Sequence, residues 1–319
     1  MKTGIGAGEE HAMSRRSPTA LGVFLCCLLL VACATPSPTK SPAAPVSSHA
    51  SATATIPSSA TPAVTPTSIT PKRYKARTLL RGVGRPDDLA FDRQGRLLFS
   101  DAHNGTIRRL NGDGSTTILL RGLAGPEGIV VLSDGTMIFA EQNTHRILRL
   151  APGSTTPVLL RNLPGMPSKA SCKDGVDGIA FDPTTNTLII PDSPTGEVYR
   201  MNLDGKALTL LAKGMSRPVG AVVDAQGTIY VADECGGAVW TITKDGKTTS
   251  LGGFGMPDDV ALDSQGNLWV IDLAPAIHAL IRVNLHSGQR TTIASQGFIE
   301  PQGLVIDQHD TIFVADDYA

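Results

Sequence analysis

Residues 86–92 read PDDLAFD, and five variants of this motif follow at nearly regular distances along the chain. The starts of successive motifs lie 40, 50, 42, 39 and 44 residues apart, which is a period typical of repeat proteins. Each motif runs into an apolar stretch of a length that suits a short β-strand. The six copies begin at Pro86, Pro126, Val176, Pro218, Pro257 and Pro301.

A second apolar run follows each motif after a short turn, and it ends in an acidic residue, as in LLFSD at 97–101 and IYVAD at 229–233. Most repeats continue with a third run such as IRRL at 107–110 and a fourth such as TILL at 117–120. Four short strands in about 40–45 residues indicate one blade of a β-propeller. We therefore predict an all-β fold, a six-bladed β-propeller, over residues 73–319.

The fourth-strand pattern also occurs before the first repeat, as RTLLRG at residues 77–82. The sixth repeat has its first two strands but no run that fits a third. We expect the N-terminal strand to complete the sixth blade, because a ring closed in this way leaves no open edge between the first and last blades. That blade then has three strands, unless the sequence is truncated.

The first 33 residues have the order of a secretory signal, with SRR at 14–16 before an apolar stretch from Ala20 to Ala32. This stretch is too short to span a bilayer, which takes about 20 residues. It ends in LVAC at 30–33, which resembles the lipobox of bacterial lipoproteins. We predict a lipoprotein signal peptide at 1–33 and lipidation of Cys33, with ordinary secretion as the alternative.

Residues 34–72 are a linker, because 32 of these 39 residues are Ala, Ser, Thr or Pro. A segment of this composition cannot bury enough apolar surface to fold, so we predict that it is disordered. The protein is then expected in the cell envelope, on the extracytoplasmic face, with the membrane as a partner only through the lipid anchor.

The charge of the repeat region argues against nucleic acid as a partner. Residues 76–319 hold 21 Lys and Arg against 27 Asp and Glu, a net charge of −6, and no basic stripe is evident. We expect a monomer that binds a small molecule or a protein.

The second residue of each motif is the entry position of its blade, where the chain enters the innermost strand nearest the axis. Four of these six positions are acidic, and crowded carboxylates repel one another unless a cation lies between them. Alternatively, each Asp closes a tight turn by accepting backbone hydrogen bonds. The predicted ligand-binding residues at and beside these positions are Asp87, Asp88, Glu127, Asp177, Asp258, Asp259 and Gln302.

The repeats resemble known families. Their form, Pro-x-Gly-apolar-Ala-apolar-Asp followed by a turn and then Val-Ala-Asp, is similar to NHL repeats. PDD at 257–259 followed by DSQGNLWV at 263–270 resembles the gluconolactonase and regucalcin (senescence marker protein-like) propellers. MIFAEQ at 137–142 is similar to streptogramin lyases in one blade.

The gluconolactonase resemblance implies a Ca²⁺- or Mg²⁺-dependent lactone hydrolase, whose metal is held by entry residues of three blades. Placing Asp258 on the family's main ligand puts Val219 on another, which cannot coordinate a metal. Placing Asp177 there implies Glu127, Asp177 and Asp258 as metal ligands, and Asp87 as the catalytic base or substrate contact.

We therefore expect an NHL-type propeller that binds a ligand on its acidic channel face. A metal-dependent lactonase-type hydrolase is the first alternative, and a protein-binding scaffold is the second.

Cleavage at Cys33 leaves only Cys172 and Cys235 unmodified in the mature chain. In an oxidising compartment such a pair favours a disulfide, with two free thiols as the alternative. We predict a bond between Cys172 and Cys235.

The substitution Cys33→Ser tests the anchor. It removes the residue that would carry the lipid, so we expect the protein to move from the membrane fraction into the medium. Fractionation followed by immunoblotting measures this, and retention in the membrane at the wild-type level would contradict the prediction.

Overall fold

Antiparallel strands make up the regular structure of this protein, which a computed structural model describes over residues 74–168, 170 and 172–318. The predicted signal peptide, the lipidated Cys33 and the linker lie outside these residues. Within this part of the chain, no helix is long and apolar enough to cross a membrane.

The strands follow one another in the order in which the repeats predict them. Their bounds are β1 Pro86–Phe91, β2 Leu97–Asp101, β3 Thr106–Leu110, β4 Thr116–Arg121, β5 Pro126–Val131, β6 Met137–Glu141, β7 Arg146–Leu150, β8 Val158–Asn162, β9 Ala180–Asp182, β10 Thr187–Asp192, β11 Glu197–Asn202, β12 Leu208–Lys213, β13 Pro218–Val223, β14 Ile229–Asp233, β15 Ala238–Ile242, β16 Thr248–Gly252, β17 Pro257–Leu262, β18 Leu268–Asp272, β19 Ala279–Val283, β20 Arg290–Ala294, β21 Pro301–Ile306 and β22 Ile312–Asp316.

Each run of four consecutive strands from β1 to β20 forms one sheet, so the described residues contain five complete blades. The sheet that follows has only β21 and β22. The innermost strands β1, β5, β9, β13, β17 and β21 contact one another in that order, and β21 also contacts β1, which closes the ring. The predicted all-β propeller is confirmed, whereas the last of the six predicted blades is not complete in this part of the chain.

The expected closing strand at 77–82 is not formed in the described structure. Residues 74–82 have no strand pairing, and Leu79 is exposed. A closing strand at 77–82 would have to pair with a third strand of the last sheet. The described part of that sheet ends with its second strand, β22, so this partner is missing. The ring is closed where β1 packs against β21 and β22, and there the rings of Phe91 and Phe313 meet edge to face, with centroids 5.5 Å apart.

The core lies between the blades, where the faces of successive sheets pack together in five buried clusters. Ile107 and Phe139 join the first two blades, and Trp269 joins the fifth blade to the two-stranded sheet. The alternating apolar residues of each strand supply these contacts, because side chains of a strand point to its two faces in turn.

Four of the six acids that end the second strands bind the loops leading into their own blades, namely Glu141, Asp233, Asp272 and Asp316. Asp272 is fully buried and accepts hydrogen bonds from the backbone N–H groups of Gly255 (2.7 Å) and Met256 (2.9 Å). Asp316 binds the N–H groups of Ile299 and Glu300 in the same way. This repeated contact fixes where each of these four loops enters the channel.

The third blade has a longer entry loop, which accounts for the 50-residue spacing, and it is attached differently. His145 is buried, its Nδ1 accepts a hydrogen bond from the N–H of Val176 (2.9 Å), and its Nε2 lies 3.4 Å from Asp192. The structure joins Cys172 of this loop to Cys235 in a disulfide, with Cα atoms 6.0 Å apart, as the cysteine count predicts. A bridge between residues 63 positions apart contributes about 4 kcal/mol in the chain-entropy model.

The substitution Asp272→Ala should lower the free energy of unfolding by about 3 kcal/mol, because it leaves two partly buried N–H groups without an acceptor and removes a fully buried side chain. Asp113→Ala is the control, since Asp113 lies in an exposed turn and its loss should cost about 0.5 kcal/mol. Denaturant unfolding measures both changes. Equal losses in the two variants would show that the buried acid has no special structural role.

Candidate functional site

A β-bulge places the entry residue of most blades. In the first blade the pairing of β1 with β2 shifts between Pro86 and Leu89, and the same shift recurs in β5, β13, β17 and β21. A bulge redirects the side chains of the unpaired residues. Asp87 and Asp88 lie in this bulge, so their carboxyl groups are set apart from the regular alternation of the strand.

Three entry acids meet at the mouth of the channel. Carboxylate oxygens of Asp87, Glu127 and Asp177 all lie within 4.8 Å of one another. Glu127 is only 2% exposed, and its Oε2 is buried with no hydrogen-bond partner in the described structure. A buried carboxylate oxygen without a donor is costly, so this cluster is suited to a cation.

The predicted metal set differs from this cluster in one member. Glu127 and Asp177 come together as expected, but Asp87 takes the place of Asp258. Asp258 is 6% exposed and lies close enough for its charge to interact with Asp87 and Asp177. The reason is positional, because Asp258 belongs to the fifth blade, whereas the other three acids belong to the first three blades.

Burial raises the pKa of every acid at the mouth. The pKa of Asp87 rises to about 8, first through burial and then through the charge of Asp177. The pKa values of Glu127 and Asp258 are raised well above their usual range, again mainly by burial. Without a cation, burial therefore favours the protonated form of these acids.

Asp88 and Asp259 lie one residue further along their strands and line the channel below the mouth. The cavity there has a volume of about 230 Å³ and is otherwise lined largely by apolar residues. Both oxygens of Asp259 accept backbone hydrogen bonds, from Val260 (2.8 Å) and Leu304 (2.7 Å), which ties the fifth blade to the sheet of β21 and β22. Asp259 therefore has a structural role. The entry residue of the last sheet, Gln302, is partly exposed.

Arg217 is a site residue that our sequence analysis missed. It immediately precedes Pro218 in the fourth blade, whose entry residue, Val219, is buried in the core. Its guanidinium Nη2 lies 3.1 Å from Asp177, so a positive charge borders the acidic cluster. The sequence contained one indication of this role, because Arg217 lies two residues before Val219, the one apolar residue among the six entry positions.

Gln142 and Asp317 also border the cluster. The Nε2 of Gln142 donates a hydrogen bond to Asp177 (3.3 Å). The charge of Asp317 interacts with Asp87, and burial raises the pKa of Asp317 to about 6. Both residues follow the ends of second strands, whose loops open on the same face as the entry positions.

Comparison with solved structures supports the fold. A scan against models of protein families finds no match, and neither does a search of curated proteins. A gluconolactonase from Xanthomonas campestris matches with a TM-score of 0.62 and 19% identity, covering 76% of this chain and 86% of that one. These likenesses show a β-propeller.

Two other matches have the same architecture and unrelated roles. A virginiamycin B lyase from Staphylococcus aureus matches with a TM-score of 0.58 and 20% identity, over 75% of this chain and 80% of the lyase. A chain of the nidogen–laminin complex matches with a TM-score of 0.58 and 20% identity, over 69% and 85% of the two chains. Function must therefore be argued from the site.

The raised pKa values predict how pH affects the cluster. An acid with a raised pKa in the folded state stabilises the protein at low pH and loses that contribution as pH rises through the folded value. Without divalent cations, the stability contributed by Asp87 should fall from about pH 4 to about pH 8.

A cation would bind the ionised carboxylates, so any rise in melting temperature that Ca²⁺ causes should be larger at about pH 8.5 than at about pH 5.5. Thermal melts with Ca²⁺ or with a chelator at both pH values measure it. An equal effect of Ca²⁺ at the two pH values would contradict this prediction.

Proposed function

We propose that the channel mouth binds a divalent cation and that the protein hydrolyses a lactone or a related cyclic ester there. The observation that supports this most strongly is the cluster of Asp87, Glu127 and Asp177, with its oxygens within 4.8 Å of one another. In this proposal the sheet of β21 and β22 counts as the sixth blade, so that six entry positions surround the mouth.

The residues fit a hard cation. All three donors are carboxylates, and Ca²⁺ and Mg²⁺ prefer oxygen ligands. The unpartnered Oε2 of Glu127 offers a ligand atom that no donor of the described structure satisfies. Glu127 and Asp177 would hold the ion together with Asp87.

A bound divalent cation would supply Lewis-acid polarisation of a carbonyl oxygen or acidification of a bound water. Asp87 is partly exposed, so it can contact an incoming ligand as well as the ion.

We also propose that this reaction takes place outside the cytoplasm, on a domain tethered by a lipid at Cys33. The apolar stretch before Cys33 and the linker at 34–72 support the tether. The disulfide between Cys172 and Cys235 supports an oxidising compartment.

A protein-binding scaffold remains the second candidate. Val158 and Leu159 of the outer strand β8 are 58% and 52% exposed. Apolar residues at an outer strand favour an interaction with another protein.

The substitution Glu127→Gln separates the two functions. It removes one charge of the cluster, so we expect the purified protein to lose stoichiometric Ca²⁺ or Mg²⁺ and about 100-fold or more of any lactone hydrolysis. Elemental analysis and a lactone-hydrolysis assay on the same sample measure both effects.

Asp204→Asn is the matched control, because Asp204 is an exposed acid paired with Lys206 away from the mouth. It should leave metal content and hydrolysis unchanged. A wild-type protein that holds no metal and hydrolyses no lactone would favour the scaffold instead.

A further inference from the structure

Arg217 is held rigidly at the channel mouth by its main chain. Its N–H donates a hydrogen bond to Asp233 (2.8 Å), and its carbonyl accepts one from the N–H of Glu234 (2.9 Å). The side chain is 13% exposed. Because the backbone of Arg217 is fixed and its side chain is largely buried, the guanidinium has little freedom to leave the mouth.

Three carboxylates surround this guanidinium. Nη2 lies 3.1 Å from Asp177 and 3.4 Å from Asp174, and Nη1 pairs with Glu234. The Nε is buried without a partner in the described residues. Asp177 is thus shared between the arginine and the acidic cluster.

The disulfide joins the two segments that supply this cage. Cys172 lies two residues before Asp174, and Cys235 directly follows Glu234. The covalent bond keeps these carboxylates on either side of Arg217. The positive charge of the arginine is therefore built into the mouth.

A charge so close to Asp177 opposes a second cation on the same carboxylate. Like charges a few ångströms apart repel each other strongly at the effective dielectric constant near a protein surface. The Oδ2 of Asp177 also accepts the hydrogen bond from Gln142, so this oxygen already has two donors. An ion that uses this oxygen must displace a donor, and an ion that uses the other oxygen of Asp177 binds close to the charge of the arginine.

We propose that Arg217 is a tethered counter-cation that competes with the divalent cation for Asp177 and so sets the affinity of the mouth for that cation. The inference rests on the proposed cation site. The opposite role would be to position Asp177 for the ion, in which case losing the arginine would weaken binding. The two roles predict changes of opposite sign.

The test is calorimetric titration of the metal-free protein with Ca²⁺. Arg217→Met keeps the aliphatic part of the side chain and removes the charge, so it should bind Ca²⁺ about tenfold more tightly than the wild type, a usual size for coupling between sites. Arg217→Lys keeps the charge and should stay close to the wild type. Equal or weaker binding by Arg217→Met would overturn the inference.

A second variant guards against misfolding, since Arg217→Met leaves Glu234 without its cation. The double substitution Arg217→Met with Glu234→Gln keeps the net charge of the mouth unchanged, and it should also bind Ca²⁺ more tightly. Arg200→Met is the remote control, because Arg200 pairs with Asp182 in the third blade, and it should have no effect.

The outcomes separate this inference from the proposed function. If the wild type binds Ca²⁺ and neither Met variant binds it more tightly, the competition is wrong and the cation site stands. If none of these proteins binds Ca²⁺ or Mg²⁺, the proposed cation site fails and the competition fails with it.

Discussion

The close approach of neighbouring innermost strands is the constraint on which the channel mouth depends. A Cβ atom on Gly128 would lie 2.5 Å from the backbone nitrogen of Ile179, and one on Gly303 would lie 2.2 Å from the carbonyl oxygen of Asp87. Only glycine fits at such distances. Because the backbones meet there, the residue just before each glycine is brought close to its counterpart in the next blade.

That approach has an electrostatic consequence. The N–H of Gly128 donates a hydrogen bond to the carbonyl oxygen of Asp177 (3.2 Å), which places Glu127 and Asp177 side by side. Burial raises the pKa values of both carboxyl groups, and the charge of Asp177 raises that of Glu127 further. The carboxylates of the mouth therefore repel one another when ionised, and protons, an arginine or a metal ion can reduce this repulsion.

The third and fourth blades modify the repeated plan around this point. The third blade has the longer entry loop with Asp174, and the fourth has an apolar entry residue preceded by Arg217. The disulfide between these blades holds their two loops close to each other, which packing in the blade core does not do. The asymmetry of the mouth comes from these loops, since the sheets themselves repeat.

The sequence by itself determined five blades and their strands, because each apolar alternation specifies a strand locally. The PDD-like motif also marks the start of every innermost strand except that of the third blade, where β9 begins at Ala180, four residues after Val176. It also determined most of the acids at the mouth, including Glu127 and Asp177, since their position in the repeat places them on the axis.

Only the tertiary structure decided that Asp87 joins these two acids while Asp258 stays outside the group, and that Arg217 lies against Asp177. It also showed residues 77–82 without strand pairing. The physical reason is the same in each case: distances across the ring and the partner available to an edge depend on how the blades pack together, and spacing along one chain carries no information about either.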